Sequence, residues 1–150
     1  IITRYENAFA AVPLLVSFIP MLMDTGGNCG SQSSTLIIRG LALDEIKFKD
    51  IFRVIFKEFR IALLVGIGLA IANGIRIFIM YKDLKMAIVI ALSLSLIVII
   101  AKIIGCTLPL FAKKLHMDPA IMASPLITTV VDTCSIMIYF SIATRVFTLS

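Results

Sequence analysis

The sequence contains no tryptophan, only one histidine and three cysteines that form no CxxC pair. Zinc and copper sites usually draw on several histidine or thiolate ligands, and so few of these residues argue against such a site. Cys29, Cys106 and Cys134 are scattered and odd in number, which predicts small core residues and no disulfide framework. His116 falls at a predicted turn and is expected to be a surface residue.

Charged residues are also scarce. They make up 15% of the 150 residues, whereas 60% are hydrophobic and the mean hydropathy is +1.07. Soluble domains contain about 45–50% apolar residues. A single domain of this length cannot bury such an excess, so lipid must cover part of its surface. The net charge of +5 does not indicate nucleic-acid binding, because the basic residues flank apolar segments and form no continuous face.

The apolar segments predict an all-α, polytopic membrane helix bundle with four crossings in this chain. The expected helices cover residues 8–43, 59–81, 86–111 and 119–144. The first contains a polar, glycine-rich run from Asp24 to Ser34, which predicts a helix with a distorted middle or two half-helices. Irregular backbone at membrane depth survives only beside protein or a wet cavity, so the run is a functional candidate.

The segment from Asp44 to Arg60 alternates apolar with basic residues, which predicts a helix lying at the membrane interface. The side of the membrane that carries this segment and the Lys113–Lys114 turn collects eight basic residues, against five on the other side. The positive-inside rule places both segments in the cytoplasm, with the chain as a multi-pass protein of the cell membrane.

Asp132 lies in the middle of the last predicted helix, where it is the only charged residue. A carboxylate at this depth costs at least ~2.5–3.5 kcal/mol, so it usually faces a cavity or a partner. Steps of three and four residues place four polar residues on the same stripe: Ser124, Thr128, Ser135 and Tyr139. The stripe indicates either an ion path or a polar seam in which Asp132 pairs with Lys102.

Carboxylate and hydroxyl oxygens suit hard cations, and Mg2+ is often held by one or two carboxylates with several waters retained. The chemistry favours Mg2+ over Zn2+ or Cu+, and Mn2+, Co2+ and Ca2+ are expected to compete because they accept the same ligands. In the glycine run, Asn28 and Gln32 add side-chain oxygens, and Gly26 and Gly27 allow close backbone approach. The alternative for this run is a tight helix crossing. Glu6 is a candidate for attracting cations at the outer entrance.

Two segments resemble transmembrane helices of the MgtE magnesium channels. The family's second helix is similar to Phe18-Ile19-Pro20, Gly26-Gly27-Asn28-Cys29-Gly30-Ser31-Gln32 and Ile38-Arg39-Gly40. Its fifth helix is similar to Asp118-Pro119-Ala120, Ser124-Pro125, Thr128-Thr129, Asp132 and Ile138-Tyr139-Phe140-Ser141. Both motifs occur in the family's order and spacing, and the resemblance covers nearly the whole chain.

The resemblance implies a homodimer with five helices per subunit, whose second and fifth helices line a pore on the two-fold axis. It implies that Asp132 is the selectivity carboxylate, that Ser124 and Thr128 line the same path, and that Asp118 lies at the cytoplasmic mouth. Residues 1–6 resemble the outer end of the family's first helix, so the chain is expected to be part of a longer protein. The partners expected are membrane lipid, a second copy of the chain and divalent metal ions, with no nucleic acid.

The function expected is channel-like uptake of hydrated Mg2+, without enzyme activity. A Mg2+ exporter, a Na+-coupled exchanger and a non-conducting assembly domain are alternatives. The triplet Asp24-Thr25-Gly26 also occurs in aspartic proteases, which need two carboxylates, so an intramembrane protease using Asp132 is a remote alternative. Lys102 either extends to the cytoplasmic surface or competes with cations.

Overall fold

The computed structural model describes residues 13–122 and 124–147, the side chains of Met122 and Ser124 excepted. Within them the chain forms four α-helices joined by short turns, and no β-strand. The helices are α1 (Ile19–Ala42), α2 (Ile51–Tyr81), α3 (Leu84–Lys114) and α4 (Ser124–Val146), with 3-10 turns at Pro13–Phe18, Phe48–Asp50 and Pro119–Met122. The prediction of an all-α helix bundle is confirmed.

Three segments of this described region are long and apolar enough to cross a membrane: Phe48–Tyr81, Leu84–Lys114 and Pro125–Val146. The α1 helix is more polar because it carries Asp24, Arg39 and the glycine run. Its 24 residues nevertheless rise about 36 Å, more than the ~30 Å thickness of the hydrocarbon core. The length of α1 therefore suits a membrane crossing.

The glycine run lies inside one continuous helix, so the distortion expected there is absent from α1. No glycine in the described residues has a positive φ. A glycine costs a helix about 1 kcal/mol relative to alanine, but Gly26, Gly27 and Gly30 are buried against neighbouring helices. Close packing therefore maintains a helix that local propensity disfavours.

The α3 helix is central and contacts each of the other three helices. In the most apolar stretch of 18 residues, half of the residues of α3 are buried inside the bundle, whereas 11% of those of α2 are. The fully buried side chains of α3 include Val89, Ile90, Leu94 and Val98. The α2 helix exposes many large apolar side chains and lies at the periphery, where lipid can cover them.

The amphipathic segment at residues 44–60 is not a separate interfacial helix. The turn Phe48–Asp50 leads directly into α2, which continues without a break from Ile51 to Tyr81. No proline or glycine occurs between Ile51 and Val65, so nothing local ends the helix. Arg53, Lys57 and Arg60 therefore belong to the first turns of a long helix, and Lys47 and Lys49 precede it.

The cysteines and the histidine lie where the sequence predicts. Cys29 and Cys106 are buried, Cys134 is partly buried, and all three are free thiols. His116 is exposed in the turn between α3 and α4, with a φ of 57°. Among residues 13–122 and 124–147, no three His, Cys, Asp or Glu side chains are grouped so that they could hold a metal ion together.

The α1 and α3 helices pack closely against each other at two glycines, Gly30 and Gly105. A Cβ on Gly105 would overlap the carbonyl group of Gly30, whereas a Cβ on Gly68 in α2 would meet nothing within 4 Å. We expect Gly105→Ala to lower the free energy of unfolding by about 1–3 kcal/mol through overpacking. The control Gly68→Ala should leave it unchanged or raise it by up to about 1 kcal/mol. Denaturation in detergent followed by circular dichroism measures both, and equal values would contradict the contact.

Candidate ion site

The glycine run of α1 packs against α4. A Cβ on Gly26 would lie 2.9 Å from Ser135 Oγ and 3.0 Å from Val131 Cγ1. A Cβ on Gly30 would lie 3.0 Å from Ile127 Cγ2. These distances leave no room for a side chain at either glycine, which is how small residues let two membrane helices approach closely. The run therefore brings together the two helices that carry the candidate site residues.

Asp132 lies beside this contact and is partly buried. A Cβ on Gly27 would lie 3.6 Å from Asp132 Oδ1 and 3.3 Å from Thr128 Cγ2. Within the described part of the chain, the Asp132 carboxylate has no hydrogen-bond or ion-pair partner. Its oxygens can therefore accept hydrogen bonds from the water shell of a cation.

Two further candidates, Thr128 and Asp118, lie in and before α4. Thr128 is partly buried, and its hydroxyl donates a hydrogen bond to the Pro125 carbonyl oxygen at 3.1 Å. Asp118 is exposed in the turn that precedes α4, where Oδ1 accepts a hydrogen bond from the Ala120 N–H at 2.9 Å. Ser124 is the first residue of α4, and its side chain is not among those described. Asp118 therefore stabilises the turn while leaving most of its carboxylate open to solvent.

The polar stripe predicted on α4 divides into a partly buried portion with Thr128 and Asp132 and a fully buried portion with Ser135 and Tyr139. In the buried portion, the Ser135 hydroxyl donates to the Val131 carbonyl oxygen at 2.7 Å. The buried Tyr139 hydroxyl donates to the Leu15 carbonyl oxygen at 2.9 Å, because the turn Pro13–Phe18 packs over this end of α4. The Ser135 hydroxyl is therefore engaged within α4, and the Tyr139 hydroxyl joins α4 to the Pro13–Phe18 turn of the same chain.

A second polar face belongs to α1. Asn28 and Gln32 are exposed there, and Asp24 is exposed one turn before them. Asp24, Asn28 and Gln32 follow one another at four-residue intervals and therefore share one face of α1. Sequence reasoning considered Asp24 only for the protease alternative and did not group it with Asn28, although their four-residue spacing predicts a shared helix face. Glu6, the candidate for an outer entrance, lies outside the described residues.

Lys102 lies neither at the membrane surface nor beside Asp132. Its Nζ atom is 3.4 Å from Glu58 Oε2 and donates to Ser33 Oγ at 3.1 Å. Ser33 in turn donates to the Glu58 carboxylate at 2.6 Å, and all three side chains are buried. The predictions that Lys102 pairs with Asp132 or extends to the surface are wrong, because its charge is neutralised inside the bundle. No pattern in the sequence points to Glu58 as the partner of Lys102, because Glu58 lies among basic residues.

Comparison with known proteins supplies independent information. Residues 19–142 match the MgtE family model, described as a divalent cation transporter. The chain is 40% identical over 144 residues to the magnesium transporter MgtE of Bacillus subtilis strain 168, and 37% identical over 143 residues to that of Thermus thermophilus. A protein of the same name from Enterococcus faecalis is 31% identical over 143 residues. These matches cover 95–96% of the chain but 32% of each relative, so the chain spans about a third of their length.

Proposed function

The chain belongs to the MgtE family of divalent cation transporters, and we propose that it forms the membrane path through which such a transporter conducts Mg2+. The observation that carries the proposal is the Asp132 carboxylate, which is partly buried beside Gly27 and has no protein partner within the described residues. A charged group is costly at this depth. A passing cation compensates for that cost, whereas a polar seam would have paired the carboxylate.

In the proposed transporter, two copies of the chain form a homodimer with the pore on the two-fold axis. Each copy contributes one Asp132, and two carboxylates supply about two negative charges, which match one divalent ion. Mg2+ gives up its waters reluctantly, so the ion passes with its water shell, which Asp132 and the neighbouring oxygens accept. The exposure of Asn28 and Gln32 supports this arrangement, because their side-chain oxygens are open at the surface of the single chain and available to a path between two copies.

The remaining site residues take positions along this path. We assign Asp118 to the cytoplasmic mouth, followed by Ser124 and Thr128 toward Asp132. We assign Gly26 and Ser135 to the wall behind the path, since each is buried against the other. Further oxygens and the outer entrance come from Asn28, Gln32, Asp24 and Glu6.

The charge pattern supports an orientation with residues 44–60 and the Lys113–Lys114 turn in the cytoplasm. An inside-negative potential then drives cations inward. Moving one elementary charge is worth about 2.3 kcal/mol per 100 mV, so a divalent ion gains about 4.6 kcal/mol. Uptake needs no covalent step and no second ion, which favours a channel over a Na+-coupled exchanger or an exporter. Membership in a transporter family also favours transport over an intramembrane protease.

Mg2+ uptake into proteoliposomes that contain the full-length protein tests this function. We expect uptake that follows an imposed inside-negative potential and persists without a Na+ gradient, while protein-free liposomes show none. Uptake that requires Na+ would identify an exchanger, and release without uptake would identify an exporter. The absence of flux in either direction would favour a non-conducting assembly domain. Adding Mn2+, Co2+ or Ca2+ to the same assay ranks the competing ions.

A further inference from the structure

A cavity of about 550 Å³ lies between the end of α1 and the start of α2, away from the contact between α1 and α4. Its charged lining residues are Arg39, Glu45, Asp50, Arg53, Lys57 and Glu58. We call it the α1–α2 cavity. It takes no part in the ion path proposed above, and what it binds can be judged independently of that path.

The cations of the α1–α2 cavity have no ion-pair partner among the residues that the structure describes. Arg39, Arg53 and Lys57 are exposed, and none of them forms an ion pair within the described residues. Among the carboxylates, Glu58 is paired with Lys102, and Asp50 accepts a hydrogen bond from a backbone N–H at the start of the 3-10 turn. Three cations therefore face two carboxylates that have no ion-pair partner, Glu45 and Asp50, and the remaining excess of positive charge suits an anion.

Two exposed aromatic side chains beside the cavity indicate the chemical class of this anion. Phe52 and Phe56 are 82% and 64% exposed, and each immediately precedes a basic residue of the cavity. Residues four apart share a helix face and adjacent residues are about 100° apart, so the aromatic face adjoins the basic face of Arg53 and Lys57. A helical segment with basic residues on one face and exposed phenylalanines beside them is typical of the membrane–water interface. The ligand that fits combines a negative headgroup with a hydrocarbon chain.

We propose that the α1–α2 cavity binds the phosphate headgroup of an anionic phospholipid, with an acyl chain lying along Phe52 and Phe56. Arginine guanidinium groups bind phosphate oxygens with two parallel hydrogen bonds, and two arginines line this cavity. Basic pockets between membrane helices are known to take such headgroups. The lipid would link the end of α1 to the start of α2.

Native mass spectrometry of the full-length protein titrated with phosphatidylglycerol tests this site. We expect the combined variant Arg39→Gln, Arg53→Gln and Lys57→Gln to weaken binding about tenfold or more, because charge-assisted contacts to phosphate are the strong ones. The matched control carries Lys49→Gln, Arg60→Gln and Lys113→Gln, which removes the same charge from exposed positions outside the cavity. It should bind almost as the unmodified protein does.

Several results would overturn the proposal. An equal loss of phosphatidylglycerol affinity in both variants would show general charge attraction. Phosphatidylcholine that binds as tightly as phosphatidylglycerol would show that the site does not distinguish the headgroup charge. Inorganic phosphate that binds with the same sensitivity to the cavity variant would identify a soluble anion as the ligand. Photoreactive phosphatidylglycerol tests the unmodified protein directly, without relying on a variant that folds. Label on residues 36–58 is expected, and label only elsewhere, or another segment of the full-length protein cross-linked into the cavity, contradicts the site.

Discussion

Asp132→Asn is expected to reduce potential-driven Mg2+ uptake by about tenfold or more. Asparagine keeps the size of the side chain but removes its charge, once in each subunit of the proposed dimer. Two unit charges 4 Å apart interact by roughly 4 kcal/mol at an effective dielectric constant of about 20. A divalent ion doubles this figure, and the retained water shell lowers it by increasing the distance. A loss of only about 1.4 kcal/mol already corresponds to a factor of ten. The initial rate of uptake into proteoliposomes measures the effect.

Asp83→Asn is the matched control for this variant. Asp83 caps α3, where its Oδ1 atom accepts a hydrogen bond from the Met86 N–H at 3.1 Å, and asparagine caps helices equally well. The control should therefore transport as the unmodified protein does. Unchanged uptake in Asp132→Asn would remove this carboxylate from the path. Asp24→Asn would then test whether the exposed face of α1 carries the ion instead.

Lys102→Met is expected to lower the free energy of unfolding by about 3–5 kcal/mol. The substitution leaves the Glu58 carboxylate buried without its cation, and breaking a buried ion pair from one side costs this much. The combined variant Lys102→Met and Glu58→Met should recover most of the loss, because no buried charge remains. Ser33 then loses its acceptor but can turn its hydroxyl to a carbonyl in the preceding turn of α1. Denaturation with sodium dodecyl sulfate, followed by circular dichroism, measures both variants.

The comparison of the two variants decides what Lys102 does. Equal losses in the single and combined variants would mean that packing, and not charge, holds this position. An unchanged stability in Lys102→Met, together with faster Mg2+ uptake, would instead show that the lysine charge repels the transported ion. Recovery in the combined variant would establish the pair as a structural element of the bundle.

The helical bundle follows from features that act locally along the sequence. The long apolar segments form helices and the charged segments between them form turns, because each of these features acts on its own part of the chain. The glycine run is different: its local propensity predicts a distorted helix, but burial against α3 and α4 keeps α1 regular. This regularity depends on residues about 100 positions away, such as Val131, which a local reading does not include.

The candidate site shows the same limit. Asp132 is recognisable because one charge in an apolar helix is costly wherever it points. The stripe around it was harder to read, since whether Tyr139 is open or covered depends on the Pro13–Phe18 turn. Glu58 and Lys102 are 44 residues apart on different helices, and no spacing rule links such positions. The position of Asp24 on the same helix face as Asn28 was predictable from the sequence, because the two residues are only four positions apart.

The contact between Gly30 and Gly105 and the contact between Ser33 and Lys102 lie one turn apart on the same pair of helices. Both contacts lie on the side of α1 that faces α3. The α1 helix therefore cannot slide along α3 or rotate about its own axis without breaking at least one of them. The side chains of α1 are thereby held at a fixed angle to the rest of the subunit. In the proposed dimer, we expect any change in the width of the passage between the subunits to require displacement of α1 and α3 together.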